Sequence, residues 1–122
     1  MTIQECYQEL GGDFAQVKKR LPSDSLIMKF MAKFPDDQSF SELCRAMEEG
    51  RRAEAFRAAH TLKGVCANLG FDRLMLSAGQ LTELLRPETD TIPAGCAALL
   101  EEVRQDYDLT VSAIRACLSS AH

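Results

Sequence analysis

Several features that would mark a specialised class of protein are missing from this sequence of 122 residues. No apolar run approaches the roughly 20 residues that a membrane-spanning helix needs, and the opening stretch MTIQECYQEL lacks the apolar core of a signal peptide. Acidic residues outnumber basic ones by eighteen to fourteen, which gives a net charge of −4. This balance disfavours a nucleic acid or an anionic membrane as the main partner. We therefore expect a soluble, cytoplasmic protein with one domain over residues 1–122.

Cysteine pairs with the spacing of a zinc site are also missing. The five cysteines are odd in number and widely spread, and no two of them form a C-x-x-C pair. Isolated cysteines of this kind usually serve as small, reduced core residues. The sequence thus predicts no metal site and no bound cofactor. The cysteines are Cys6, Cys44, Cys66, Cys96 and Cys117.

No segment alternates between apolar and polar residues as a strand would, and helix formers such as Ala, Leu, Glu and Arg are common. The fold class predicted is all-α, with an antiparallel up-down four-helix bundle and additional short N-terminal helices. The expected helical segments run from Thr2 to Gly11, from Asp13 to Arg20, from Ser23 or Asp24 to Phe34, from Ser39 to Gly50, from Arg51 to Leu69, from Asp72 to Arg86 and from Pro93 to Leu118.

Local signals support several of these ends. Thr2 and Ser39 are each followed three residues later by Glu, which is the pattern of a capping box. Asp13 and Asp72 fit single N-caps, and Gly70 fits a C-terminal cap.

The helix that contains AAHTLKG, residues 58–64, has an unusual outer face. At about 100° per residue, an apolar stripe occupies one arc of the helix, and His60 lies about 160° from the centre of that stripe. The outer face holds Ala, Gly and Phe where a solvated helix would carry Glu, Lys and Gln. Gly64 in mid-helix costs roughly 1 kcal/mol relative to alanine. Such a flat surface around an imidazole suits the close approach of another protein. The stripe comprises Ala55, Ala58, Ala59, Leu62, Val65, Cys66 and Leu69.

Residues 60–64, HTLKG, followed by ANLG at 67–70, resemble the signature of histidine-containing phosphotransfer (HPt) domains. The resemblance extends from about Tyr7 to the C-terminus and includes the order of the helices. It implies that His60 accepts a phosphoryl group, on Nε2, that Lys63 neutralises the phosphoryl oxygens, and that Gly64 leaves room for them. The residue types fit this chemistry, because a neutral imidazole is nucleophilic without a further base and transfer depends on positioning and charge. Ala53, Phe56, Arg57 and Ala67 form the expected docking surface.

The resemblance also implies partners. A response-regulator receiver domain supplies the aspartate, the acidic pocket and Mg²⁺, and a hybrid histidine kinase feeds the relay. The chain is then a phosphoryl carrier and not an enzyme, and we expect it to act as a monomer. Its initial Met1 favours a free-standing protein. Many relatives place a glutamine on the following helix to orient the histidine. That position is Thr82 here, which either orients His60 or only packs.

Three other classes of helical protein also carry a histidine of this kind. Phosphoacceptor regions of sensor kinases usually have an acidic residue after the histidine and a proline soon after, whereas Thr61 follows here and the next proline is Pro87. In a metal-binding bundle, His60 and Cys66 would have to share an ion, yet they lie about 240° apart on their helix. A helical interaction module with a non-phosphorylated histidine stays open as the alternative function.

Overall fold

Short polar caps and left-handed glycines set several of the helix ends. The protein is described by a computed structural model over residues 1–120, and this part of the chain contains α-helices and no strand. The helices are α1 Ile3–Leu10, α2 Phe14–Arg20, α3 Asp24–Lys33, α4 Ser39–Glu48, α5 Arg52–Leu69, α6 Asp72–Leu85 and α7 Cys96–Ser120. A 3₁₀ turn, Phe34–Asp36, follows α3. The all-α prediction is confirmed.

Several predicted caps are present. The Thr2 hydroxyl accepts a hydrogen bond from the Glu5 amide while the Glu5 carboxylate accepts one from the Thr2 amide, so the capping box is complete. Asp13 and Ser23 cap α2 and α3 in the same way. Gly70 ends α5 with a left-handed φ of 71°. These three helix starts and this helix end could be predicted from the residues within one turn of each end.

Other predicted ends are wrong, each for a local reason. Ser39 is not an N-cap, because the Asp37 carboxylate accepts a hydrogen bond from its amide and Ser39 becomes the first residue of α4. Asp72 is likewise the first residue of α6, after Phe71. The last helix begins at Cys96 and not at Pro93, since Gly95 has a φ of 92°, which a helix does not accommodate. The α-helical part of α3 ends at Lys33, one residue before the expected end.

The last four helices form the predicted antiparallel bundle. α4 packs on α5, α5 on α6, and α6 on α7, with short links at 49–51 and 70–71 and a longer one at 86–95. The bundle closes between α7 and α4, where the rings of Phe40 and Tyr107 stack with centroids 4.2 Å apart. The 25 residues of α7 span about 37 Å, so this helix runs the full height of the bundle.

The short N-terminal helices cover one end of α5 and one side of α7. Helix α1 packs on α7, and the buried Tyr7 hydroxyl donates a 2.6 Å hydrogen bond to the Leu69 carbonyl at the end of α5. Arg20 of α2 donates to the carbonyls of Ala67 and Asn68. Together they satisfy carbonyls that the end of α5 would otherwise leave without partners.

Buried apolar side chains from all seven helices form one cluster. The cysteines behave largely as predicted: the five form no disulfide with one another, and all except the half-buried Cys44 are buried. Burial raises the pKa of the Cys6 thiol to about 12, which keeps it uncharged at neutral pH. Within residues 1–120 no helix is long and apolar enough to cross a membrane.

The hydroxyl of Tyr7 provides a test of how the N-terminal helices hold α5. Tyr7→Phe should lower the free energy of unfolding by about 1–3 kcal/mol, because it leaves the buried Leu69 carbonyl without its partner. Tyr107→Phe is the matched control: Tyr107 is half-buried, and its hydroxyl makes no hydrogen bond to the described residues. Its effect should stay within about 0.5 kcal/mol. Equal losses in urea unfolding would contradict this role for Tyr7.

Candidate functional site

His60 lies near the middle of α5, on the side away from the core. The imidazole is exposed, whereas Ala55, Ala59 and Leu62 of the same helix have no exposed surface. Helix α5 is held between α4 and α6, so the packing of its small apolar stripe fixes which way His60 faces. One member of the predicted stripe is misplaced: Val65 is only half-buried, because it lies at the edge of the core.

Lys63 lies one turn after His60 and leans towards α6. Its aliphatic stem crosses Gly79, where a Cβ would lie 3.5 Å from Cδ and 3.6 Å from Cε of the lysine. The side chain is half-buried along this stem. Within residues 1–120 the ammonium group makes no salt bridge. A cation that makes no salt bridge within the described residues therefore lies one turn from the exposed imidazole.

Gly64 leaves open space on the same face. A Cβ built there would meet no atom within 4 Å apart from the helix's own nearby backbone. The glycine is exposed and helical, with no left-handed φ to require it. Packing inside this chain therefore does not explain why a helix-weakening residue stands here.

Phe56 connects His60 to α6. Its ring is parallel to the imidazole within 4°, with centroids 6.0 Å apart, and the guanidinium carbon of Arg86 lies 5.1 Å from the centroid of Phe56. Phe56 is half-buried, so it is less exposed than its predicted position on the outer face of the helix indicates. The other predicted docking residues share its face: Ala53 is half-buried, and Arg57 and Ala67 are exposed.

Thr82 does not make the orienting contact considered for it. The side chain has no exposed surface, and its hydroxyl donates a 2.7 Å hydrogen bond to the Ala78 carbonyl one turn back in α6. A buried hydroxyl needs such a partner, and the backbone supplies it. The structure gives no hydrogen bond between Thr82 and His60, which leaves the threonine as a satisfied packing residue. Gln80, two residues earlier on the same helix, is exposed.

Two charged residues near this surface were not predicted from the sequence: Glu83 of α6 and Arg86 at the C-terminal end of that helix. Arg86 donates to Glu83 through Nε at 3.0 Å and through a terminal nitrogen at 2.7 Å. This hydrogen bonding holds the pKa of the Glu83 carboxyl below its usual range. The nearby positive charges of Lys63 and protonated His60 act in the same direction. The spacing of Gly79, Glu83 and Arg86, at i, i+4 and i+7, is the sequence signal that places all three on one face of α6.

Within the described residues no three His, Cys, Asp or Glu side chains are grouped so that they could hold a metal ion. His60 and Cys66 lie on opposite sides of α5, one exposed and one buried. What the site offers is an exposed imidazole, a neighbouring ammonium group that makes no salt bridge within residues 1–120, and open space at Gly64.

Comparison with known families assigns the chain to one of them. The family model described as Hpt domain matches residues 25–118, more than three quarters of the chain, and the match includes His60, Lys63 and Gly64. The chain belongs to the Hpt domain family. No curated protein and no solved structure gives a match. Membership supports a role related to phosphotransfer in two-component signalling, in which Hpt domains are phosphocarrier modules that interact with receiver and kinase components.

Gly64 gives a test of whether the fold needs this glycine. Gly64→Ala should raise the free energy of unfolding by up to about 1 kcal/mol, since alanine is the better helix former and its methyl group meets open space. Gly50→Ala is the control: that site is equally open, but its φ of 71° strains any L side chain. It should lower stability by roughly 1 kcal/mol. A loss of stability in Gly64→Ala would show that the glycine is structural.

Proposed function

We propose that this protein is a phosphorelay intermediate that accepts a phosphoryl group on His60 from an aspartyl phosphate of a receiver domain and passes it to another. Family membership supports phosphotransfer in general. The observation that carries the assignment to these residues is the pair formed by the exposed imidazole and the neighbouring lysine, whose ammonium makes no salt bridge within the described chain.

The transfer needs little from this chain beyond geometry. The neutral imidazole attacks phosphorus through Nε2, and the Nε2–P bond forms as the bond from phosphorus to the aspartyl oxygen breaks. The electron pair of that bond leaves with the carboxylate, and transfer in the other direction reverses each step. Charge on the equatorial oxygens must be stabilised, and Lys63, as the i+3 neighbour of His60, is placed to do so.

The partner supplies what His60 lacks. In this proposal a response-regulator receiver domain brings the phosphorylated aspartate, its acidic pocket and Mg²⁺, and a hybrid histidine kinase loads the relay. The partner docks on the face formed by Ala53, Phe56, Arg57 and Ala67, whose small side chains allow a close approach, and Gly64 leaves the in-line path clear. The chain acts as a monomeric carrier in the cytoplasm and does not catalyse turnover by itself.

Replacing the histidine tests the proposed acceptor directly. His60→Gln should abolish ³²P labelling by a panel of phosphorylated receiver domains. Because His60 is exposed, the melting temperature and helical circular dichroism should be nearly unchanged, with a stability effect within about 0.5 kcal/mol.

His122 is the only other histidine, and it lies outside the described residues. His122→Gln is therefore the matched control and should label like the wild type. Undiminished labelling of His60→Gln would overturn the assignment. Receiver binding to the wild type without any labelling would favour the alternative, an interaction module with a non-phosphorylated histidine.

Two substitutions separate the effect of charge on phosphoryl transfer from the effect of the space around the phosphoryl group. Lys63→Ala should lower the transfer rate roughly tenfold, as expected for loss of one charge-assisted hydrogen bond, with little change in stability. Gly64→Ala should also slow transfer, because a methyl group crowds the approach, although it stabilises the helix. Rapid-quench transfer assays with thermal melts measure both effects. Full activity of Gly64→Ala would remove the glycine from the proposed mechanism.

A further inference from the structure

Beside His60 an arginine is already held in the geometry that a phosphoryl group requires. Arg86 and Glu83 form a two-point pair, with one hydrogen bond to each carboxylate oxygen. Two oxygens of a phosphoryl group present the same fork to a guanidinium. Glu83 thus occupies the place that a second anion on this face would take.

The ring of Phe56 neighbours both that guanidinium and the imidazole. Arg86 lies over one face of the Phe56 ring, and Phe56 in turn lies parallel to His60 one turn away on α5. The backbone beneath is fixed, because Arg52 of α5 donates to the carbonyls of Leu85 and Thr89 on either side of Arg86. A change of partner by the Arg86 guanidinium would therefore involve its side chain and not this backbone.

The ion pair between Arg86 and Glu83 is exposed and can exchange for another partner of Arg86. The side chain of Arg86 is 53% exposed and that of Glu83 is 60% exposed, and exposed pairs of this kind contribute little to stability. A phosphoryl group on His60 would bring close to two negative charges into a site that already contains the Glu83 carboxylate. These like charges would repel, and the guanidinium would gain more from the phosphoryl oxygens than from the carboxylate.

We propose that Arg86 is a second phosphoryl-binding residue, and that Glu83 is the internal anion that the phosphoryl group on His60 displaces from it. The inference rests on the proposed function, since it requires a phosphoryl group at His60. It assigns the two residues opposite effects: Arg86 favours phosphorylation, and Glu83 opposes it by occupying Arg86 and by its own charge.

The experiment uses phosphoramidate, a small phosphoryl donor that needs no partner domain, and follows the rate at which the full-length protein is labelled. Arg86→Gln should slow labelling of His60 by roughly threefold to tenfold, and Glu83→Gln should accelerate it by roughly threefold. A purely structural ion pair would respond in the same direction to the loss of either partner. In the phosphorylated wild type, the Arg86 Nε–Hε signal should also shift in ¹H–¹⁵N spectra.

A second ion pair in the chain provides matched controls. Glu101 and Arg104 of α7 have the same i, i+3 spacing and similar exposure, and Arg104 also lies over an aromatic ring, that of Phe40. Arg104→Gln and Glu101→Gln change the net charge by the same amounts as the two test variants, on a helix that does not carry His60. They should leave labelling within about 1.5-fold of wild type, since long-range charge is screened.

The outcomes separate the two proposals. If the wild type labels on His60 but the Arg86 and Glu83 variants behave like the controls, or both change in the same direction, the role of Arg86 is overturned and the proposed function stands. If His60 of the wild type is labelled neither by phosphoramidate nor by a phosphorylated receiver, the proposed function fails, and this inference fails with it.

Discussion

The packing of α5 between α4 and α6 is the constraint on which the rest of the molecule depends. Alanines at 55, 58 and 59 allow both neighbours to approach α5 closely, and Leu62 and Cys66 fill the space further along. A helix held on two sides has one direction left for a polar side chain, and His60 takes it. Exposure of the histidine therefore follows from core packing and needs no interaction of its own.

The same constraint explains why the site is built from two helices. Lys63 lies along Gly79 of α6, and Phe56 contacts Arg86 across the same interface. Side chains of α5 thus meet residues of α6 and its C-terminal end around one surface. The charged groups there are exposed and weakly held, whereas the backbone that carries them is anchored at the helix ends by Tyr7, Arg20 and Arg52.

Features that depend on the chain within one or two turns could be predicted from the sequence. The helical class, the caps at Thr2 and Asp13, and the outward direction of His60 all follow from local spacing. The sequence could not decide whether Thr82 orients His60. It does not show that the Thr82 hydroxyl donates its hydrogen bond to the Ala78 carbonyl of its own helix. Glu83 and Arg86 were missed because their relation to His60 depends on the register between two helices.

The register between α5 and α6 determines which charged groups lie near the histidine. A carrier must hold its phosphoryl group well enough to keep it and loosely enough to release it, so strong fixed cations around the histidine would favour only one of these steps. Here the Lys63 ammonium group makes no salt bridge within residues 1–120, and the Arg86 guanidinium is shared with a carboxylate. An internal anion that competes for the arginine lowers the stabilisation of the phosphorylated state without removing it. An exposed ion pair of little value to folding can in this way adjust how readily the phosphoryl group is passed on.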